Sequence, residues 1–264
     1  MFEIDTLVKP ILIGTVLAIL WAFEARLPMF RFKGNRLKHN ASNIVLGVMN
    51  AVLAGFLFAS LVLGVTTWAS QNQIGLLNVL VLNPLVELLI GLIVFDCWQY
   101  WWHKINHAIP FLWRFHAVHH SDAAMDASSA VRFHTVEIIY SSAIRLMILP
   151  LIGLSIGHLL IYELILLPII LFHHSNIALS ATLDKALRVF IVTPRIHWVH
   201  HSHIREETDS NYSSLLSVWD RLFGSFRLRT DPQNIRMGLG DRFDKTPWDS
   251  LVGLLKQPLN KNLY

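Results

Sequence analysis

Histidine is the residue type in this sequence that carries the clearest chemical signal. The chain of 264 residues contains 14 histidines, and most of them recur at intervals of one, three or four positions. Four short groups stand out: His103 and His107; His116, His119 and His120; His173 and His174; and His197, His200 and His201. Positions i, i+3 and i+4 share one face of a helix, so each group is expected to direct its imidazoles at one point, as a metal site requires.

The number of imidazoles predicts two metal ions. An isolated histidine is more often structural, but two copies of His-x-x-His-His and one His-x-x-x-His favour metal binding. If the segments converge, they supply eight or more imidazoles, which is too many for one ion. All-imidazole ligation suits zinc, copper, iron or nickel. Cys97 is the single cysteine, which excludes cysteine-based zinc and iron–sulfur sites, and no His-Glu-x-x-His motif indicates a metalloprotease.

The composition indicates that helices in a membrane position these histidines. Hydrophobic residues make up 53% of the chain and charged residues only 15%, against roughly 25% in soluble domains. This excludes a disordered chain, a coiled coil and an ordinary cytosolic enzyme. We expect an all-α, multi-pass membrane protein with about four to five transmembrane helices and a cytoplasmic helical domain that holds the two metals. The predicted spans are Val8–Phe23, Asn43–Val65 and Leu76–Trp98, with a turn at Thr66–Gln73, and a hairpin of Ile138–Ile156 and Leu159–Phe172.

The distribution of charge predicts the orientation in the membrane. The segment after the first span is basic, whereas the turn at Thr66–Gln73 has no charge. The basic residues are Arg26, Arg31, Lys33, Arg36 and Lys38. By the positive-inside rule this segment is cytoplasmic, and so are the residues after 98 and the C-terminal third. Basic residues beside the spans favour contact with anionic lipid over nucleic acid. The compact chain, without an obvious C-terminal retrieval signal, favours a bacterial inner membrane over the endoplasmic reticulum.

The order of the histidine groups resembles the fatty acid hydroxylase superfamily, the membrane oxygenases that include sterol desaturases, sterol methyl oxidases and alkylglycerol monooxygenase. The resemblance covers about residues 96–224 of what we expect to be a single domain spanning residues 1–264. The groups at 103/107, 116/119/120 and 197/200/201 match the family's three histidine boxes, and His174-Ser-Asn matches its isolated histidine. The acyl-CoA desaturases fit less well, because their first box usually has four residues between its histidines.

Shorter elements between and after the boxes strengthen the resemblance. Arg132-Phe-His134-Thr-Val-Glu137 is similar to the family's His-Pro-x-Glu element, with Thr135 in place of proline. Asp209-Ser-Asn211-Tyr212 and Trp219-Asp220-Arg221-Leu-Phe-Gly224 match the element that follows the last box, which the acyl-CoA desaturases lack.

The resemblance implies a di-iron oxygenase that uses O2 and external electrons to hydroxylate or desaturate a C–H bond of a lipid such as a sterol, fatty acyl chain or ether lipid. The electrons would come from a separate ferredoxin, cytochrome or reductase. The implied ligands are His103, His107, His116, His119, His120, His174, His197, His200 and His201. His134 is either a tenth ligand or, as we favour, a group that supports the ligands.

Three carboxylates, Asp96, Glu137 and Asp209, are candidates to accept an N–H from a ligand imidazole, although each could also form an ordinary salt bridge or helix cap. Two other functions stay open. One is a histidine-rich membrane transporter or binding protein for zinc or copper. Its site would be expected near the bilayer midplane, whereas these histidines cluster at the ends of predicted spans. The other is a scaffold that has kept its metals but lost activity.

Overall fold

The structure, a computed structural model, describes residues 2–32, 34–240 and 250–260, with side chains from Val8 onward. Within these residues the chain is helical and its β-structure is limited to isolated bridges, as expected. The α-helices, in chain order, are α1 (Phe2–Arg26), α2 (Arg36–Gln71), α3 (Leu76–Val79), α4 (Pro84–Ala108), α5 (Pro110–His120), α6 (Thr135–Ile152), α7 (Ile156–His174), α8 (Ala181–Leu187), α9 (Pro194–His200), α10 (Arg205–Thr208), α11 (Val218–Leu222) and α12 (Leu251–Lys256).

Five apolar segments are long enough to cross a membrane, which confirms the predicted multi-pass architecture. They are Val8–Arg26, Arg36–Val79, Pro84–Ala108, Thr135–Ile152 and Ile156–His174. Large apolar side chains on these segments face outward, such as Phe56 on α2 and Leu151 on α6. This surface needs acyl chains around it, because water would leave it unstable.

The connection between the second and third spans differs from the prediction. Helix α2 runs through most of the predicted turn, because polar side chains there bond to their own helix: Thr66 Oγ1 donates to the carbonyl of Val62 at 2.9 Å. The chain turns later, at Gly75, whose φ is +101° and where a Cβ would lie 2.2 Å from the carbonyl oxygen of Pro150. Helix α4 then begins at Pro84 rather than Leu76, with the side chain of Asn83 capping the amide of Leu85.

Two apolar clusters hold the helices that carry the histidines. Phe95 of α4, Leu149 of α6 and Tyr162 of α7 are buried against one another. Leu20 of α1 packs with Leu171 of α7 in a second cluster. These clusters fix the positions of α4 and α7, whose histidine-bearing ends contact α5 and α9.

The end of α1 is tied to the loops that follow two histidine groups. Glu24 is buried, and its Oε1 accepts hydrogen bonds from the backbone amides of Ala127 and Asn176 at 2.9 Å each. Arg36, at the start of α2, forms an ion pair with the same carboxylate. A buried carboxylate requires such donors to offset its lost hydration. The N-terminal helices therefore help to position the loops beside the histidines.

Candidate metal centre

The predicted ligands converge into two adjacent clusters, which we call the five-histidine cluster and the four-histidine cluster. The first contains His103, His107, His116, His120 and His200, and the second contains His119, His174, His197 and His201. Within each cluster the ligand atoms lie within 4.8 Å of one another. The clusters touch where the rings of His120 and His201 stack with centroids 4.4 Å apart. All nine predicted ligands are thus brought together, in sets that could each hold one ion.

The second and third boxes each divide between the two clusters, which corrects the expectation that each box points at one place. His116 and His120 belong to the five-histidine cluster, whereas His119 belongs to the other. In the third box His200 is separated from His197 and His201 in the same way. Consecutive residues of an α-helix point about 100° apart, since a turn contains 3.6 residues. Adjacent histidines on one turn therefore belong to different clusters.

The five-histidine cluster fits a cation because nitrogen lone pairs meet at its centre. His103 and His200 donate from Nδ1 to backbone carbonyls at 2.8 and 2.7 Å, and His116 donates from Nδ1 to Glu137 at 2.7 Å. Since these partners only accept, the Nε2 atoms carry lone pairs. His103 Nε2 lies 3.1 Å from Nε2 of both His116 and His200. Two nitrogens bound to one ion at about 2.1 Å and at a right angle lie about 3.0 Å apart.

The four-histidine cluster has the same construction. His174 donates from Nδ1 to the carbonyl of Ile170 at 2.8 Å, which leaves its Nε2 as an acceptor. That Nε2 lies 3.1 Å from His119 Nε2 and 3.0 Å from His197 Nε2. His201 Nε2 is 3.1 Å from His197 Nε2. Four nitrogens are therefore arranged around one point.

Buried nitrogens without hydrogen-bond partners also fit metal binding. In the five-histidine cluster, both ring nitrogens of His120 and the Nε2 of His107 are buried and have no partner among the described residues. A buried polar atom without a partner costs free energy, and a metal ion would remove that cost.

The electrostatic environment keeps the imidazoles neutral. Burial, together with the neighbouring histidines, lowers the pKa of His119, His120, His197 and His201 well below the ordinary 6.5. Burial lowers the pKa of His200 to about 3. Because only the neutral imidazole binds metal, the cluster is ready to accept cations at neutral pH without first losing protons.

Two of the three predicted supporting carboxylates contact a ligand imidazole. Glu137 accepts from His116, as described above. Asp209 Oδ1 lies 3.2 Å from His107 Nδ1, and its other oxygen accepts from Arg205 Nε at 2.6 Å. Each carboxylate fixes which ring nitrogen carries the proton and so directs the other toward the cluster centre.

The predicted contact between Asp96 and a ligand imidazole is wrong. Asp96 accepts instead from the hydroxyl of Tyr162 at 2.7 Å, the indole N–H of Trp219 at 2.7 Å and the amide of Leu216 at 3.1 Å. It lies seven residues before His103, which is about 10 Å along the helix axis. At that height its neighbours are α7 and the segment around α11, so Asp96 joins these elements and does not bond the cluster.

Two histidines that the sequence motifs singled out, His134 and His173, lie outside both clusters. His134 caps α6: its Nδ1 accepts from the amide of Val136 at 3.1 Å, and its Nε2 donates to the carbonyl of Leu255 at 3.2 Å. Both ring nitrogens are therefore used by the backbone, and neither points at a cluster. His173 is buried, with its ring centroid 4.0 Å from that of His197 and its Nδ1 without a partner in the described chain.

Sequence reasoning missed a buried polar network behind the second box. His39 Nε2 lies 2.9 Å from both oxygens of Asp122, which also accepts from Ser129 at 2.6 Å. Arg132 Nε donates to the carbonyl of Val118, within the box itself, at 3.1 Å. His39 and Arg132 outweigh the effect of burial and hold the pKa of Asp122 well below its usual range. Asp122 follows the box by two residues and could have been noticed, but nothing in the sequence connects it to His39.

Comparison with known proteins agrees with the family resemblance that the histidine motifs indicated. The model of the fatty acid hydroxylase family matches residues 88–225, which include every residue of both clusters. The chain is similar to ornithine lipid hydroxylase OlsE of Rhizobium tropici, with 28% identity over 175 residues that cover 66% of this chain and 51% of that protein.

Other relatives are a monooxygenase and a hydroxylase by name. Alkylglycerol monooxygenase of Danio rerio is 30% identical over 141 residues, covering 52% of this chain and 29% of that protein. Cholesterol 25-hydroxylase of Rattus norvegicus is 26% identical over 164 residues, covering 59% and 51%. The chain thus matches about half of the length of these relatives or less. No solved structure matches it.

Proposed function

Because the chain belongs to the fatty acid hydroxylase family, we propose that it is a membrane di-iron oxygenase that uses O2 to oxidise a C–H bond of a lipid. The observation that carries the proposal is the pair of adjacent all-histidine clusters beside apolar helices long enough to span a membrane. The relatives reported above are named as hydroxylases and a monooxygenase, which favours hydroxylation over desaturation.

The chain's own residues prepare this site in three ways. The nine histidines would supply neutral nitrogen ligands to two irons. The bound irons would in turn supply the activation of dioxygen and the oxidation of the C–H bond. Glu137 and Asp209 hold the rings of His116 and His107 in orientation. Burial of both clusters excludes water, which protects a reactive centre from side reactions.

The location of the site supports a lipid substrate. Both His103 and His174 lie at the ends of candidate membrane spans, so an amphipathic lipid can present a carbon to the cluster while its chains stay in the bilayer. We propose that the histidine side faces the cytoplasm of a bacterial inner membrane, in agreement with the basic segment after α1. Reducing equivalents would come from a separate protein, such as a ferredoxin, a cytochrome or their reductase.

Metal analysis of the detergent-purified chain tests the metal centre. We expect about two irons per chain in the wild type and fewer in His119→Ala and His200→Ala, which remove one ligand from each cluster. Stoichiometric zinc or copper without iron, even after anaerobic iron loading, would contradict the di-iron proposal and support a metal transporter.

A turnover assay tests the reaction. The iron-loaded chain in bilayer discs should oxidise an extracted bacterial lipid mixture when given O2, NADPH, a ferredoxin and its reductase. Omitting the ferredoxin should abolish turnover. The same iron-loaded His200→Ala variant is the matched control, and product formation at the wild-type rate by that variant would contradict a role for the clusters in the reaction.

A further inference from the structure

Four exposed apolar side chains form a patch outside the histidine clusters, which we call the apolar tip: Val189, Phe190, Val218 and Leu222. Phe190 is 71% exposed and Leu222 64%. The two chain segments that carry the tip are joined, because the amide of Ser217 donates to the carbonyl of Phe190 at 3.1 Å. An exposed apolar patch of this kind marks contact with an apolar partner.

The apolar tip is joined to the middle of one candidate membrane span, α4, and through it to a second span, α7. Leu216 and Trp219, which flank Val218, both bond to Asp96. Asp96 is the central residue of α4 (Pro84–Ala108), about 18 Å from either end at 1.5 Å per residue. It is also bonded to Tyr162 of the spanning helix α7. The hydrocarbon core of a bilayer is about 30 Å thick. A segment level with Asp96 therefore lies within the hydrocarbon, below the lipid headgroups.

Exposed charges around the apolar tip are basic. In residues 181–190 and 217–224 the exposed charges belong to Lys185 and Arg221, whereas Arg188 is half-buried and its Nη1 donates to Asp184 at 3.0 Å. The two acidic residues of these segments, Asp184 and Asp220, are fully buried. A basic rim around an apolar surface is the pattern of interfacial segments that bind anionic phospholipids.

We infer that the apolar tip inserts into the leaflet on the histidine side of the membrane, with acyl chains around its apolar side chains and with the side chains of Lys185 and Arg221 extended toward anionic lipid phosphates. The tip continues the lipid-facing surface of the spanning helices, which identifies its partner as lipid. The charge distribution of the sequence predicts that residues 189–222 lie in the cytoplasm. The inference places the apolar tip within the membrane instead.

The inserted segment is connected to the metal clusters on both sides of the third box. Asp184 accepts from the hydroxyl of Thr193 at 2.7 Å, immediately before α9 and its histidines. Asp220 accepts from the amide of Tyr212 at 2.7 Å, and the carbonyl of Tyr212 receives the N–H of His103. Insertion of the tip would therefore hold the five-histidine cluster at a constant height relative to the leaflet.

Site-directed fluorescence measures the depth of the tip. Cys97 is the single cysteine, so Cys97→Ser provides a background for Phe190→Cys, Leu222→Cys and, as the control, Gln233→Cys in an exposed polar segment. Each variant is labelled with bimane and placed in phosphatidylcholine vesicles with or without phosphatidylglycerol. Quenching by acyl-chain doxyl lipid should exceed that by aqueous acrylamide about threefold or more at positions 190 and 222 and show the reverse at 233, as depth below the headgroups requires.

The outcomes distinguish lipid from other partners. Acrylamide quenching at positions 190 and 222 equal to that at 233 would overturn insertion, and quenching by neither reagent would indicate a protein partner and also overturn it. Phosphatidylglycerol should increase the acyl-chain quenching, and Lys185→Glu should reduce that increase. An identical depth with and without phosphatidylglycerol would overturn the headgroup contact. Circular dichroism and gel filtration identify any variant that fails to fold, and Val189→Cys then replaces it.

Discussion

Glu137 should determine how tightly the five-histidine cluster holds its metal. Its carboxylate accepts from His116 Nδ1 at 2.7 Å, and the two side chains are only 6% and 3% exposed, so water does not weaken the bond. Removing such a partner from a ligand imidazole typically lowers metal affinity about 10- to 100-fold, or about 1.4 to 2.7 kcal/mol. We expect Glu137→Ala near the upper value, because it leaves a buried N–H without an acceptor, and Glu137→Gln near the lower value, because its amide oxygen still accepts.

Competition with a chromophoric chelator, in detergent, measures this affinity. Asp209→Asn is the matched control: the contact of Asp209 with His107 is longer, at 3.2 Å, and its side chain is 34% exposed and shared with Arg205. Its effect should stay below about threefold, since exposed charge pairs contribute little. Wild-type affinity in a folded Glu137→Ala variant would refute the reasoning, and so would a larger loss in Asp209→Asn than in Glu137→Ala.

Three further predictions follow from the site. His120→Ala and His174→Ala remove ligands of different clusters, so each should retain about one of two ions in metal analysis; loss of both ions from either variant contradicts separate sites. In the metal-free protein the pKa of His200 is about 3 when folded and 6.5 in the unfolded chain, so the unfolded chain binds protons first and the free energy of unfolding should fall as the pH drops from about 6.5 toward 3. Chemical denaturation at several pH values checks this, and a pH-independent stability over that range contradicts it. Asp96→Asn should lower stability by about 1–3 kcal/mol, because one of three buried donors loses its acceptor, while metal affinity stays within about twofold; a selective loss of metal would show that Asp96 acts on the ligands after all.

The histidine pattern was sufficient to predict which residues converge. Ligand spacing within one helix is a local property, and the hydrophobic runs between the boxes already indicated helices that bring them to one side of a membrane. Glu137 and Asp209 could be predicted to contact ligands because each belongs to a short element near the boxes. The division of the second and third boxes between two clusters could also have been predicted, because adjacent residues of a helix point about 100° apart.

Other features depend on contacts between distant parts of the chain, which no local pattern encodes. Asp96 was predicted to face a ligand from its position in α4, but its partners Leu216 and Trp219 lie 120 and 123 residues later. His39 and Asp122 are 83 residues apart and meet only after α2 has packed beside the second box. The late start of α4 similarly depends on the cap at Asn83 and on Gly75 fitting against Pro150.

In the second box, the cluster that each histidine joins depends on its position along α5. His119 serves one cluster and His120 the other, so the assignment of ligands depends on counting single residues. Inserting or deleting one residue between His116 and His120 would rotate everything beyond it by about 100° and send each imidazole toward the wrong ion. The intervening Ala117 and Val118 are fully buried and bear no ligand atoms, so their identity concerns packing alone. The number of residues between His116 and His120 is therefore more important for the metal centre than the identity of those residues.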